Sequence, residues 1–260
     1  MKIYRVITSP IDNLLLQEDL NRLSNWCTQN NLFLNINKCK IMTFSKIRNP
    51  ISYNYHLNNV KLDRVSLYKD LGIYFNPSFS FNDHYIHIQN KSSSMLSFIN
   101  RSCKDFINPL ALKSLYCSFV RSLLDYGSTV WSVQSIGAIK GIDSIQNRFL
   151  RIIQFRCDIK RAPHSSYQPL LSYLKLETLE NRRKRLDLCF IFKLTNGNVN
   201  CPELIFLLNF NIPNRRTRQL YTFYVPLQGS KYGQNAPINR LMQLVNDLNV
   251  DLFSCVSQNN

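Results

Sequence analysis

The chain has 260 residues, 45% of them hydrophobic, and a net charge of +16 from 32 Lys and Arg against 16 Asp and Glu. That apolar content suffices for one large domain or two ordinary ones, and the charge points to a polyanionic partner, nucleic acid or an anionic membrane surface. The longest apolar runs, such as Leu204 to Leu208, fall far short of the ~20 residues of a membrane-spanning helix, and Met1-Lys2-Ile3-Tyr4-Arg5 lacks the apolar stretch of a signal peptide, so nucleic acid rather than membrane is the expected partner and the expected location is intracellular, nucleus or cytoplasm.

Met1 to Ile7 reads as a short strand, rich in β-branched and aromatic residues. Ser9-Pro10 opens a helix, with Asp12 in its first turn. Ile11, Leu15, Leu16, Leu20, Leu23, Trp26 and Cys27 then give it an apolar stripe, and Asn30-Asn31 ends it. Extended pieces follow at Leu32 to Ile36, Ile41 to Phe44, Ser52 to Leu57 and Val60 to Leu62. Asn58-Asn59 joins the last two as a tight turn. Val65 to Leu67 and Gly72 to Phe75 read as a further pair, stopped by Asn76-Pro77.

From Asn82 the apolar period changes from two to about 3.6. Ile88, Leu96 and Ile99 mark a helix ending near Arg101. Asn108-Pro109 starts another, with a stripe of Leu112, Leu115, Phe119, Leu123, Tyr126 and Val130. Ile142, Ile145, Phe149, Ile152 and Ile153 belong to a third. Its other face carries Arg148, Arg151 and Arg156, continuing to Lys160 and Arg161. After a proline-containing linker at 162–169, a fourth helix runs from about Glu177 to Asn196, stopped by Gly197 and carrying Arg182-Arg183-Lys184-Arg185. Asn239 to Asn249 is a last helix. The expected class is α+β: a small mixed or antiparallel sheet region with one helix in residues 1–80, a helical region in 81–161 and a helical extension in 162–260.

Eight cysteines, at 27, 39, 103, 117, 157, 189, 201 and 255, form no Cys-x-x-Cys pair. The four histidines, at 56, 84, 87 and 164, miss zinc-finger offsets from them. Free thiols in a reducing compartment are expected, with no metal site.

Three groups of residues, taken in order, resemble one family. Leu23 to Cys27 closes a helix as Leu-x-x-Trp-Cys. Asn31 to Phe44 reads Asn-Leu-x-Leu-Asn-x-x-Lys-Cys-Lys-x-Met-x-Phe. Tyr68 to Ile73 reads Tyr-Lys-x-Leu-Gly-Ile. This order resembles the reverse transcriptases of non-LTR retrotransposons of the jockey type. Leu115 to Trp131, through Asp125-Tyr126-Gly127-Ser128, and Leu176 to Arg183 with Lys193-Leu194 to Pro202, resemble the same family's thumb and tail.

The resemblance implies the end of a polymerase palm (1–80), a thumb (81–161) and a C-terminal extension (162–260). It implies that the parent enzyme makes DNA on an RNA template with Mg²⁺ held by carboxylates. The family's Phe/Tyr-x-Asp-Asp turn precedes a segment like Met1 to Tyr4, and no Asp-Asp pair occurs in this chain. The expected protein is therefore a C-terminal polymerase fragment that binds primer–template duplex, lacks polymerase activity alone and has the N-terminal polymerase part as its missing partner. The resemblance further implies that Lys38, then Lys40, sits on the triphosphate side, and that Tyr68, Lys69 and Gly72 lie in a hairpin gripping the primer end. Arg148, Arg151 and Arg156 are expected to track phosphates across the thumb. Arg182, Arg183, Lys184 and Arg185 are expected to bind RNA or act as a nuclear signal, and Arg215, Arg216 and Arg218 form a further basic cluster. Tyr53 and Tyr55 are either core residues or stacking platforms. Two rival readings share the same charge: a domesticated, non-enzymatic nucleic-acid or protein-binding module, and a basic structural helical protein.

Overall fold

Ser9 and Pro10 open helix α1 (Pro10–Gln29) as the sequence predicts. The Asp12 carboxylate accepts the backbone N–H groups of Thr8 and Ser9 at 2.9 and 2.7 Å, so the helix starts on a built-in acceptor. The computed structural model describes residues 2–45, 47–132, 136–160, 162, 165–212, 221–229, 231–249 and 252. It is α+β and helix-dominated, with small sheets of short strands early in the chain. Two compact units divide it, Met1–His84 and Tyr85–Asn260.

In the first unit, α1 turns Asn13, Ser24 and Cys27 inward, with Leu16 and Leu20 packed on a core of Tyr55, Leu57 and Leu62. The predicted stripe is rotated: Ile11 and Trp26 are exposed. The cause is polar. Tyr55 donates its hydroxyl to Asn13 Oδ1 at 2.8 Å. The Gln17 amide pairs with the His56 backbone at both N–H and C=O, and Ser24 meets Asn58. Burying those groups is favourable only because the hairpin edge satisfies them.

That hairpin joins β2 (His56–Leu57) to β3 (Val60–Lys61) through Asn58 and Asn59, both at positive φ, the backbone a two-residue turn requires. A parallel pair joins β1 (Lys40–Ile41) to β4 (Asp63–Arg64). A second hairpin joins β5 (Tyr68–Asp70) to β6 (Ile73–Phe75), so the partner of the final strand is Tyr68–Asp70 rather than Val65 to Leu67. Leu71 and Gly72, at φ 45° and 88°, make its turn. Residues 2–7, predicted as a strand, have no strand assignment; β-branched composition does not make a strand without a neighbour to complete its ladder. Leu32 to Ile36 is likewise irregular, leading into a 3₁₀ turn at Ile36–Lys38.

The second unit is helical. It contains α2 (Asn82–Ser102, begun just before the division), α3 (Pro109–Leu115), a π turn (Tyr116–Arg121), α4 (Ser122–Asp125), α5 (Ser128–Trp131) and α6 (Ile136–Arg156). Then come α7 (Gln168–Tyr173), α8 (Leu179–Thr195), α9 (Pro202–Ile205), α10 (Lys231–Gln234) and α11 (Pro237–Leu248). Asn108 caps α3 by accepting from the Leu110 and Ala111 N–H groups. The predicted stripe of this segment slips: Leu112, Tyr116, Val120 and Leu124 are buried, whereas Phe119, Tyr126 and Val130 are exposed. The π turn closes i→i+5 bonds, so an inward face recurs every four residues rather than every three or four. Gly127, at φ 64°, then breaks the helix before α5 and lets Trp131 turn inward, its Nε1 donating to the Tyr126 carbonyl at 2.7 Å. Tyr116 stacks on Phe149 of α6 with ring centroids 4.0 Å apart. A further core joins Ile191 and Leu194 of α8 to Leu241, Met242 and Val245 of α11, with Leu208 and Phe223.

Candidate nucleic-acid interface

Helix α6 buries Ile142, Ile145, Phe149 and Ile153. By helical geometry its opposite face carries Lys140, Ser144, Arg148, Arg151 and Phe155, all exposed. Among the described residues, Lys140, Arg148 and Arg151 make no ion pair. Arg148 donates to Ser97 Oγ at 3.1 Å. Lys140 to Arg151 spans about 16 Å along the axis. Helix α2 runs beside α6 in the same direction: Gln89 donates to the Ala138 carbonyl, and Arg156 donates to the Asn100 and Cys103 carbonyls. Arg101, exposed, follows Asn100 directly. Sequence reading missed Lys140 for this face, although it is legible as eight residues before Arg148.

Arg156 does not belong to the outward face. It is half-buried and also donates to Asn100 Oδ1, so it satisfies the open carbonyls at the end of α2.

The α8 run is engaged in ion pairs through Arg182, Lys184 and Arg185, with Arg182 and Arg183 turned inward and Lys184 and Arg185 exposed on the surface. Arg182 Nε lies 2.6 Å from Asp125 Oδ2. Lys184 pairs with Glu180 at 2.7 Å and Arg185 with Glu177 at 2.9 Å. Arg183 is 5% exposed, which corrects its place on a solvent face. Burial pushes its guanidinium down from the usual range, and Asp143 beside it opposes that. The reason for the difference is spacing. Four consecutive residues sweep right round a helix, so one of them must point inward.

In the first unit, Lys38 closes the 3₁₀ turn and is exposed. Lys40 is tied to Asp63, 2.7 Å away across the parallel pair, and that hydrogen bond holds the Asp63 carboxyl below its usual value. In the second hairpin Tyr68 is 40% exposed, Lys69 sits over the Tyr74 ring at 5.3 Å and Gly72 is exposed in the turn. Tyr55 is core, and Tyr53 meets it edge-on at 5.0 Å. Arg215, Arg216 and Arg218, with Arg161, lie outside the described residues.

The donor set does not fit the magnesium ions of a polymerase. The sequence has no Asp-Asp pair, and among the described residues no three His, Cys, Asp or Glu side chains are grouped to hold a metal. Among the described residues no helix is long and apolar enough to cross a membrane.

No family model matches the chain. An uncharacterized protein of Caenorhabditis elegans is 24% identical over 174 residues, covering 65% of this chain and 86% of that protein. No solved structure matches.

Proposed function

We propose that this chain is a nucleic-acid-binding module of the kind that stands behind the catalytic part of a retrotransposon reverse transcriptase, and that it grips primer–template duplex through the outward face of α6. The observation that carries this reading is that Lys140, Arg148 and Arg151 share one exposed face and make no ion pair among the described residues, in a chain of net charge +16. Cations already matched by carboxylates, as on α8, contribute less to phosphate binding than cations that are not. The ordered motifs at Leu23 to Cys27, Asn31 to Phe44 and Tyr68 to Ile73 support the choice of ligand, and Lys38 and the Tyr68–Phe75 hairpin supply the contacts expected near the primer end. Through the α6 face the protein positions backbone phosphates without reading bases, and it contributes no metal-dependent step of its own.

A duplex titration over salt concentration tests this. Each phosphate neutralised contributes about 0.9 to the slope of log affinity against log salt. Arg148→Gln with Arg151→Gln should lower that slope by roughly two and weaken binding equally across sequences. An unchanged slope would refute the α6 face as the grip. A protein-binding module is the second reading, favoured by the exposed Phe206, Ile212 and Leu227; it predicts no salt-dependent duplex affinity at all.

A further inference from the structure

The parallel pair β1–β4 creates a groove in the first unit. Ile41 and Tyr53 lie along it, with Asn54, Lys61, Asp63 and Arg64, and it is an open groove of about 510 Å³. That volume falls within the range of small-ligand sites, roughly 300–1,000 Å³. The Arg64 guanidinium is held against the wall by two hydrogen bonds, to Thr43 Oγ1 and, at 2.9 Å, to the Tyr53 carbonyl. Those use two of the five N–H groups a guanidinium carries. Lys61 is exposed on β3. The one carboxylate, Asp63, is countered by Lys40 at 2.7 Å. Two cations, Lys61 and Arg64, therefore line the groove with a single acid already matched by Lys40, and Tyr53 lines it as well.

We infer that this groove takes one nucleoside phosphate unit, with its base on Tyr53 and Ile41 and its phosphate between Lys61 and Arg64. Asn54, with both a donor and an acceptor on its amide, is placed to meet a base edge. The edge-on contact with Tyr55 leaves Tyr53 held by its neighbour rather than free to swing, which suits a stacking platform. The unit can come from an unpaired nucleotide of a strand or from a free mononucleotide; the chemistry is shared. The inference deepens the nucleic-acid reading but uses none of the α6 residues.

The test uses the full chain, a fluorescent uridine hexanucleotide, the same hexamer with abasic sites, and uridine monophosphate as competitor. Tyr53→Leu, which keeps apolar packing, and Lys61→Gln, on an exposed edge, should each weaken hexamer binding about tenfold. The abasic hexamer should lose a similar factor and become insensitive to Tyr53→Leu. A 5-iodouridine hexamer should photo-cross-link to the peptide containing Tyr53. Competition by the monophosphate at concentrations matching the hexamer's affinity assigns the groove to free nucleotides; its failure assigns it to strands. Wild-type binding by both variants, or cross-links confined to α6 peptides, would overturn the inference. The Arg148→Gln, Arg151→Gln protein separates the two readings: it should lose duplex affinity and keep hexamer affinity. If it keeps both while Lys61→Gln loses the hexamer, the α6 reading alone fails.

Discussion

Asp12 shows how much one side chain can do at a helix start. Four hydrogen bonds from Thr8 and Ser9, backbone N–H and hydroxyl from each, converge on its Oδ2. They hold its carboxyl at about 2, below the ordinary 3.8. The folded value is the lower one, so the carboxylate's contribution to stability is fully present above pH 4 and disappears as pH falls through about 2. The Thr8 and Ser9 amide resonances should therefore titrate near pH 2 in an NMR series, and Asp12→Asn should abolish that titration. A midpoint near 4 would mean that the carboxylate is not the acceptor. Tyr85 is a buried counterpart: its hydroxyl donates to the Trp131 carbonyl at 2.7 Å, and burial pushes it up to about 12. Neither role is visible in a hydropathy pattern, although Ser9-Pro10 with Asp12 is visible as a cap.

Elements in the helical unit are tied by charge as well as by apolar packing. Arg240 of α11 reaches Asp187 of α8 at 3.1 Å and the Thr129 carbonyl of α5 at 2.6 Å. Asp187 is 4% exposed, so removing its partner strands a buried carboxylate. Arg240→Ala should cost roughly 3 kcal/mol by denaturant titration, the range found when one member of a buried pair is lost. Adding Asp187→Asn should recover part of the loss, because the charge left behind is gone. Equal stability of the single variant and the parent would show that the pair is idle. The same logic explains the α8 correction. Arg182 finds Asp125, 57 residues earlier, and no local rule could have named that partner.

At the scale of the whole molecule, the excess of cations is the property with functional weight. Acids are matched to some of the cations, as on α8 and between Lys40 and Asp63, and the α6 face is left with none matched among the described residues. A protein arranged this way is expected to bind a polyanion with steep salt dependence, as proposed above. It has no grouped carboxylates for phosphoryl transfer among the described residues. Primer extension with magnesium or manganese should give no incorporation above background with the purified chain. Incorporation by pure protein would defeat the binding-module reading.

Local chemistry was legible in the residues alone. Caps at Ser9 and Asn108, the Asn58-Asn59 turn, the stop at Gly197 and the buried positions of α6 follow from interactions within about one turn of chain. The basic face of α6 was partly legible for the same reason. Tertiary structure alone decided which side of α1 faces inward, how the π turn shifts the apolar stripe, that Arg182 meets Asp125 and that Tyr53, Lys61 and Arg64 line one groove. Those outcomes depend on partners beyond one turn of chain, from 11 residues between Tyr53 and Arg64 to 57 between Asp125 and Arg182, and the free energy of such a pairing exists only once the chain has closed the loop between them.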